Sequence, residues 1–147
     1  MTKHDFKASL GFQLTRATTI VQHAVDTALA PYDLTRISWI VLSAIRFDGK
    51  TSVTEVAKYV GMERTAVSRI ISRLEQQHVL ARGKCPSDGR ASQLQVTDKG
   101  ETLCQTVPEV IQSAMSPLLM DLSPNQVREL GQVLDRIQPG QTPSWPK

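Results

Sequence analysis

From Phe6 to Ala30 the apolar residues Phe6, Leu10, Leu14, Val21, Val25 and Leu29 recur at helical spacing, which predicts a long first helix. Pro31 ends it, because proline fixes φ and carries no amide proton. A second helix is predicted from Thr35 to Phe47, with Ile37, Ile40, Val41, Ala44 and Ile45 facing inward and Asp48-Gly49 as the following turn. Ser52-Val53-Thr54-Glu55 has the form of a capping box, in which the Ser52 hydroxyl and the Glu55 carboxylate each take the other's amide. The short third helix behind it buries Val53, Val56, Ala57 and Val60, and Gly61 suits the left-handed residue that closes it. A fourth helix from Glu63 to Gln77 turns Val67, Ile70, Ile71 and Leu74 inward. Two short helices joined by a tight glycine turn form a helix-turn-helix pattern.

Period-two alternation then replaces helical spacing. Residues 79–84 and 92–96 are predicted strands, and in the second Leu94 and Val96 alternate with Gln93 and Gln95. Pro86 to Arg90 supplies the turn, with Asp88-Gly89 as its hairpin signal. Thr97 caps a fifth helix bearing Leu103, Val107, Val110, Ile111 and Ala114. Pro108 inside it, at a cost of about 3 kcal/mol, predicts a kink or a break. Ser123-Pro124-Asn125-Gln126 is a further capping box, and the sixth helix carries Val127, Leu130, Val133, Leu134 and Ile137. The expected fold is therefore mainly α with a small β-hairpin wing. Residues 35–96 form a winged helix-turn-helix lobe, residues 6–34 and 97–138 a helical dimerisation region, and residues 139–147 a mobile tail. The first, fifth and sixth helices carry long apolar stripes that a small lobe has no room to bury alone, so a homodimer is expected.

Composition narrows the class. The chain has 147 residues, 40% of them hydrophobic, which is ordinary for one soluble domain. Its formal charge of +3 is weak evidence for a polyanionic partner. The distribution says more: Lys58, Arg64, Arg69, Arg73, Arg82, Lys84, Arg90 and Lys99 face only Glu63, Glu75, Asp88 and Asp98 across the motif. The start shows no signal-peptide pattern and no segment approaches a membrane span, so a reduced, cytoplasmic protein is expected. Cys85 and Cys104 form no disulfide framework, and no zinc or cofactor motif appears. His4, His23 and His78 lie on separate elements, with no nucleophile elbow, P-loop or dinucleotide motif, which argues against an enzyme.

The chemistry points to double-stranded DNA. Arginine can bond guanine in pairs through O6 and N7, and hydroxyls serve bases or phosphates. Thr65, Ser68 and Arg69 are assigned to base reading, beside Arg64, with Arg73 near the helix end on a phosphate. Ser52 and Thr54 lie at a helix N-terminus, where free amides favour a phosphate. Lys84 and Arg90 belong to the wing; Arg90 suits the negative potential of a minor groove, with Asp88 holding its guanidinium. The competing reading makes the arginines a solvated helix face and Asp88-Gly89 a turn and nothing else.

These residues together resemble the MarR family of bacterial transcription regulators. The resemblance rests on Ser52 to Ala57, Gly61, Arg64 to Glu75, and the run from Asp88 to Gly100, the last being the more specific. It implies a homodimer built from the first and last helices, two winged-helix lobes, repression as the default mode, and often a small-molecule or oxidant signal. Two residues depart from the family pattern: Glu63 replaces a capping serine, and His78 stands where a glycine usually ends the recognition helix.

For the signal, Arg16 and His23 share a face of the first helix, and Trp39 and Arg46 a face of the second. Arginine plus an aromatic suits an aromatic carboxylate; the plainer reading is a core tryptophan and surface arginines. Cys85, beside Lys84 and near Arg82, is the candidate for a redox-sensing alternative, while Cys104 is expected to be an ordinary interface residue. A winged-helix protein-interaction module without DNA binding is the remaining rival.

Overall fold

The computed structural model describes residues 6–84 and 92–137. A short 3-10 turn at Phe6–Ala8 precedes helix α1 (Leu10–Leu29), and a second at Ala30–Tyr32 follows it. Then come α2 (Arg36–Arg46), α3 (Val53–Val60), α4 (Arg64–Gln76), strands β1 (Leu80–Lys84) and β2 (Ser92–Val96), α5 (Asp98–Leu119) and α6 (Pro124–Asp135). The architecture is the expected one, mainly helical with a two-stranded antiparallel hairpin. Leu80 pairs with Val96, Arg82 with Leu94 and Lys84 with Ser92. The Leu94 amide also donates to the Thr51 carbonyl at 2.8 Å, tying the hairpin to the loop before α3.

Local chemistry sets the helix starts. The Ser52–Glu55 box is closed both ways: the Glu55 amide donates to Ser52 Oγ at 3.2 Å, and the Ser52 amide to Glu55 Oε2 at 3.0 Å. Ser123 and Gln126 form the second expected box, and Thr97 Oγ accepts the Gly100 amide at 3.1 Å. Gly61 closes α3 at φ +68°, and His78 takes φ +58° after α4. Histidine tolerates that conformation better than a branched residue. The helix end then reverses tightly, with the Val79 amide donating to the Leu74 carbonyl.

One core holds the lobe. Val41, Leu42 and Ile45 of α2, Val56 of α3, and Val67, Ile71 and Leu74 of α4 meet Leu80, Leu94 and Val107, with Leu29 and Leu34 closing one side. Three expectations change. On α2, Ile40 is exposed and Leu42 is fully buried; the inward face is rotated by the packing of α3 and β2 on the helix. Of the kink or break expected at Pro108, the break is absent: α5 runs on through Pro108 and Pro117. A proline forfeits one intrahelical donor, and a 22-residue helix packed along α1 retains the rest. Cys104 lies in the lobe's core, 5% exposed, because it falls on the same face of α5 as Leu103 and Val107.

Outside this core the helices are bare. Leu29 alone is buried on α1, and no residue of α6 is buried. Leu10, Ile20, Val127, Leu130, Val133 and Leu134 present apolar surface to solvent in the single chain. The expected wing tip, with Cys85, Asp88 and Arg90, and the tail at 139–147 lie outside the described residues.

Candidate nucleic-acid interface

Helix α4 is held by its apolar face. With Val67, Ile71 and Leu74 buried, helical geometry turns Arg64, Thr65 and Arg69 to solvent, with Ser68 half-buried at the edge. Among the described residues, five of the six α-helices have a serine or threonine side chain bonding the first turn. Helix α4 is the exception: Glu63 stands at its N-cap and makes no capping bond. Its first-turn amides are thus left without a side-chain partner.

The described arginines of the helix-turn-helix lobe divide into two groups. Arg36 pairs with Asp26 at 2.7 Å, Arg46 with Glu101 at 2.7 Å, Arg73 with Asp33 at 2.9 Å and Arg82 with Glu75 at 2.8 Å. Arg64 and Arg69 make no ion pair among the described residues. Two arginines without ion pairs therefore stand on the front of α4, beside the hairpin that Arg82 ties to the same helix.

The other DNA candidates fare differently. Thr54 is exposed on the first turn of α3. The Ser52 hydroxyl is engaged within the capping box, accepting from the Glu55 amide and donating to Glu55 Oε2 at 2.9 Å. The Glu55 carboxylate also accepts from the amide and hydroxyl of Thr51. These bonds, led by that from the Ser52 hydroxyl, hold the Glu55 carboxyl below its ordinary pKa. A carboxylate already occupies this helix N-terminus, so a phosphate would have to share it. Lys84 ends β1, its backbone opposite Ser92.

Of the four ligand candidates, Arg16 lines a hollow formed by described residues. A shallow hollow of about 230 Å³ at the start of α1 is lined by Lys7, Phe12, Gln13, Arg16, Ala17 and Ile20. His23 is exposed two turns further on. Trp39 packs partly against the core and meets the Phe47 ring edge-on at 6.4 Å. The Arg46 guanidinium lies 5.7 Å from the same Phe47 ring while bonded to Glu101. Residues that sequence reasoning passed over include Asp33, Gln77 and Glu101. Their types were visible, but their partners lie 40 or more positions away. Among the described residues no His, Cys, Asp or Glu group could hold a metal, and no helix is long and apolar enough to cross a membrane.

Residues 32–91, which span the helix-turn-helix and reach into the wing, match the family model described as MarR family. The chain also superimposes on MarR-family structures over most of its length. A mutant of Escherichia coli MarR in complex with operator DNA is 23% identical, with a TM-score of 0.75, over 88% of this chain and 94% of that one. The family match covers 60 of the 147 residues, and with the superposition it makes the chain similar to the MarR family. CouR from Rhodococcus jostii, bound to p-coumaroyl-CoA, is 23% identical with a TM-score of 0.76, over 88% and 91% of the two chains. A MarR family protein of Mycobacterium tuberculosis in complex with salicylic acid is 26% identical with a TM-score of 0.70, over 89% and 97%.

Proposed function

We propose that this chain is a MarR-family regulator: a sequence-specific double-stranded DNA-binding repressor, acting in the cytoplasm as a homodimer on a pseudo-palindromic operator. The observation that carries the reading is the pair of unneutralised arginines on α4, Arg64 and Arg69, flanked by Thr65 and Ser68 beside the wing. Thr65, Ser68 and Arg69 read base edges in the major groove, while Arg64 and Thr54 meet phosphates. Lys84 and Arg90 serve the wing, with Asp88 supporting Arg90. The homodimer reading draws support from the bare apolar faces of α1 and α6, and a two-fold dimer sets its half-sites about 34 Å apart. Selection from random duplexes tests this reading. It should enrich an inverted repeat, and binding to that repeat should weaken steeply with salt. Arg69→Ala should relax specificity at one base pair per half-site, losing about 1–3 kcal/mol there. Arg90→Ala should weaken binding across sequences. Enrichment of no sequence would leave a protein-interaction module as the better reading.

A small aromatic acid is the proposed effector, with Trp39 and Arg46 as its nearest candidates on α2 and Arg16 and His23 on α1. The support is an arginine held over the Phe47 ring, which Trp39 meets edge-on. A carboxylate ligand would have to displace Glu101 from Arg46. Calorimetry with salicylate and with aromatic acyl thioesters tests this, and Arg46→Ala should abolish any heat of binding.

A further inference from the structure

Asp33 lies at the corner between α1 and α2, in the left-handed conformation at φ +52°. Buried Leu29 and Leu34 anchor the chain on either side of the corner. The Asp33 amide donates back to the Ala30 carbonyl at 3.1 Å. From this corner Asp33 takes donors from two successive turns of the recognition helix. Arg73 Nη2 donates to its Oδ1 at 2.9 Å. Gln77 Nε2 donates to its Oδ2 at 2.6 Å and to its carbonyl at 3.0 Å. Arg73 and Gln77 lie four apart and so share a face of the helix end. Helix α1 packs on α5 and α2, whereas α4 packs on α2, α3 and β1. The bonds at Asp33 are therefore a direct polar tie between the end of α1 and the recognition helix.

We propose that Asp33 is a positioning residue for DNA binding: it locks the C-terminal end of the recognition helix to the end of α1, and Arg73 serves as its partner rather than as a phosphate contact. This rests on the homodimeric DNA-binding reading above. In such a dimer the angle between α1 and α4 sets the separation of the two recognition helices, and with it the half-site spacing. The pair is exposed, with side-chain accessibilities of 57% and 72%, so it contributes little to global stability. Its effect belongs in geometry.

The test compares Asp33→Gly, Asp33→Asn and Arg73→Ala with the wild-type protein on the inverted repeat that selection enriches. Glycine accepts the left-handed backbone and removes the carboxylate. Asparagine also tolerates that backbone and keeps one side-chain acceptor. Asp33→Gly and Arg73→Ala should each weaken binding roughly fivefold. Both should accept repeats with one base pair added or removed, and both should keep the wild-type dependence on salt. Asp33→Asn should recover most of the affinity and the spacing preference, and melting temperatures should stay within about 2–4 °C of wild type. If Arg73→Ala instead lowers the salt slope by about 0.9, the loss of one phosphate contact, the proposal is overturned. It is also overturned if wild type enriches a repeat and neither variant changes affinity or spacing, and that result leaves the DNA-binding reading intact. Enrichment of nothing by the wild type overturns both. Should Asp33→Gly fail to fold, Arg73→Ala decides, because it leaves the corner's backbone untouched.

Discussion

Gly100→Ala is a substitution whose sign depends on the level of reasoning applied. Gly100 is the third residue of α5, and on helix propensity alone alanine there would stabilise by up to about 1 kcal/mol. The packing reverses this. A Cβ added at Gly100 would lie 2.3 Å from the Val79 carbonyl oxygen and 2.6 Å from Val96 Cγ1. The valine methyl can rotate away at some cost, but the carbonyl is backbone. That oxygen already accepts from the Thr97 amide and from Thr97 Oγ1, both at 3.1 Å, at the start of the same helix. Relief requires α5 to move off the β1–β2 hairpin, which strains the junction that carries the wing. Overpacking of this kind costs about 1–3 kcal/mol. The 2.3 Å approach to backbone sets the cost at the upper end, so after the propensity gain the net loss is roughly 2 kcal/mol, which lowers the melting midpoint by about 4–8 °C for a chain of this size. Urea denaturation at fixed protein concentration measures it: the midpoint should fall with an unchanged slope. Gly131→Ala, where nothing lies within 4 Å of the added Cβ, is the control and should be no less stable than wild type. A Gly100→Ala protein as stable as wild type would refute the close packing of α5 on the hairpin.

Four further outcomes follow from particular contacts. Ser52→Ala removes the α3 cap and should destabilise by about 1 kcal/mol. The depressed Glu55 pKa makes its contribution pH-dependent: it is complete above the ordinary carboxylate value and lost as pH falls through the lower folded value. The urea-midpoint gap between wild type and Glu55→Gln should therefore close on acidification, and a gap that widens would refute the sign. Burial, and then the nearby Glu101 carboxylate, push the Cys104 thiol above its ordinary pKa. In a Cys85→Ser background a thiol reagent should label it only as fast as the protein unfolds, and immediate labelling would contradict its burial. Val133→Asp, on the bare face of α6, should shift the protein to monomer by sedimentation while leaving its helical signal intact. An unchanged mass would remove α6 from the interface.

Much of the fold was legible because its signals are short-range. The capping boxes at Ser52–Glu55 and Ser123–Gln126, the Thr97 cap and the left-handed Gly61 each depend on groups within four residues of one another. The buried stripe of α4 followed from helical period, and so did the outward turn of Arg64, Thr65 and Arg69. What period does not supply is the neighbour. Which flank of α2 faces inward depended on where α3 and β2 pack, so Leu42 is buried and Ile40 is not. Pro108 was read from its local cost, whereas α5 is continuous through it.

Of the candidate site, the chain alone determined which residue types stand on which helix face, because that is a matter of spacing. Tertiary structure decided which charges remain available. It neutralised Arg46 with Glu101 and Arg73 with Asp33, partners 55 and 40 positions away, and left Arg64 and Arg69 without ion pairs among the described residues. The reason is physical. A cap is closed by atoms the backbone already holds together, whereas an ion pair between distant elements exists only once the core between them has packed.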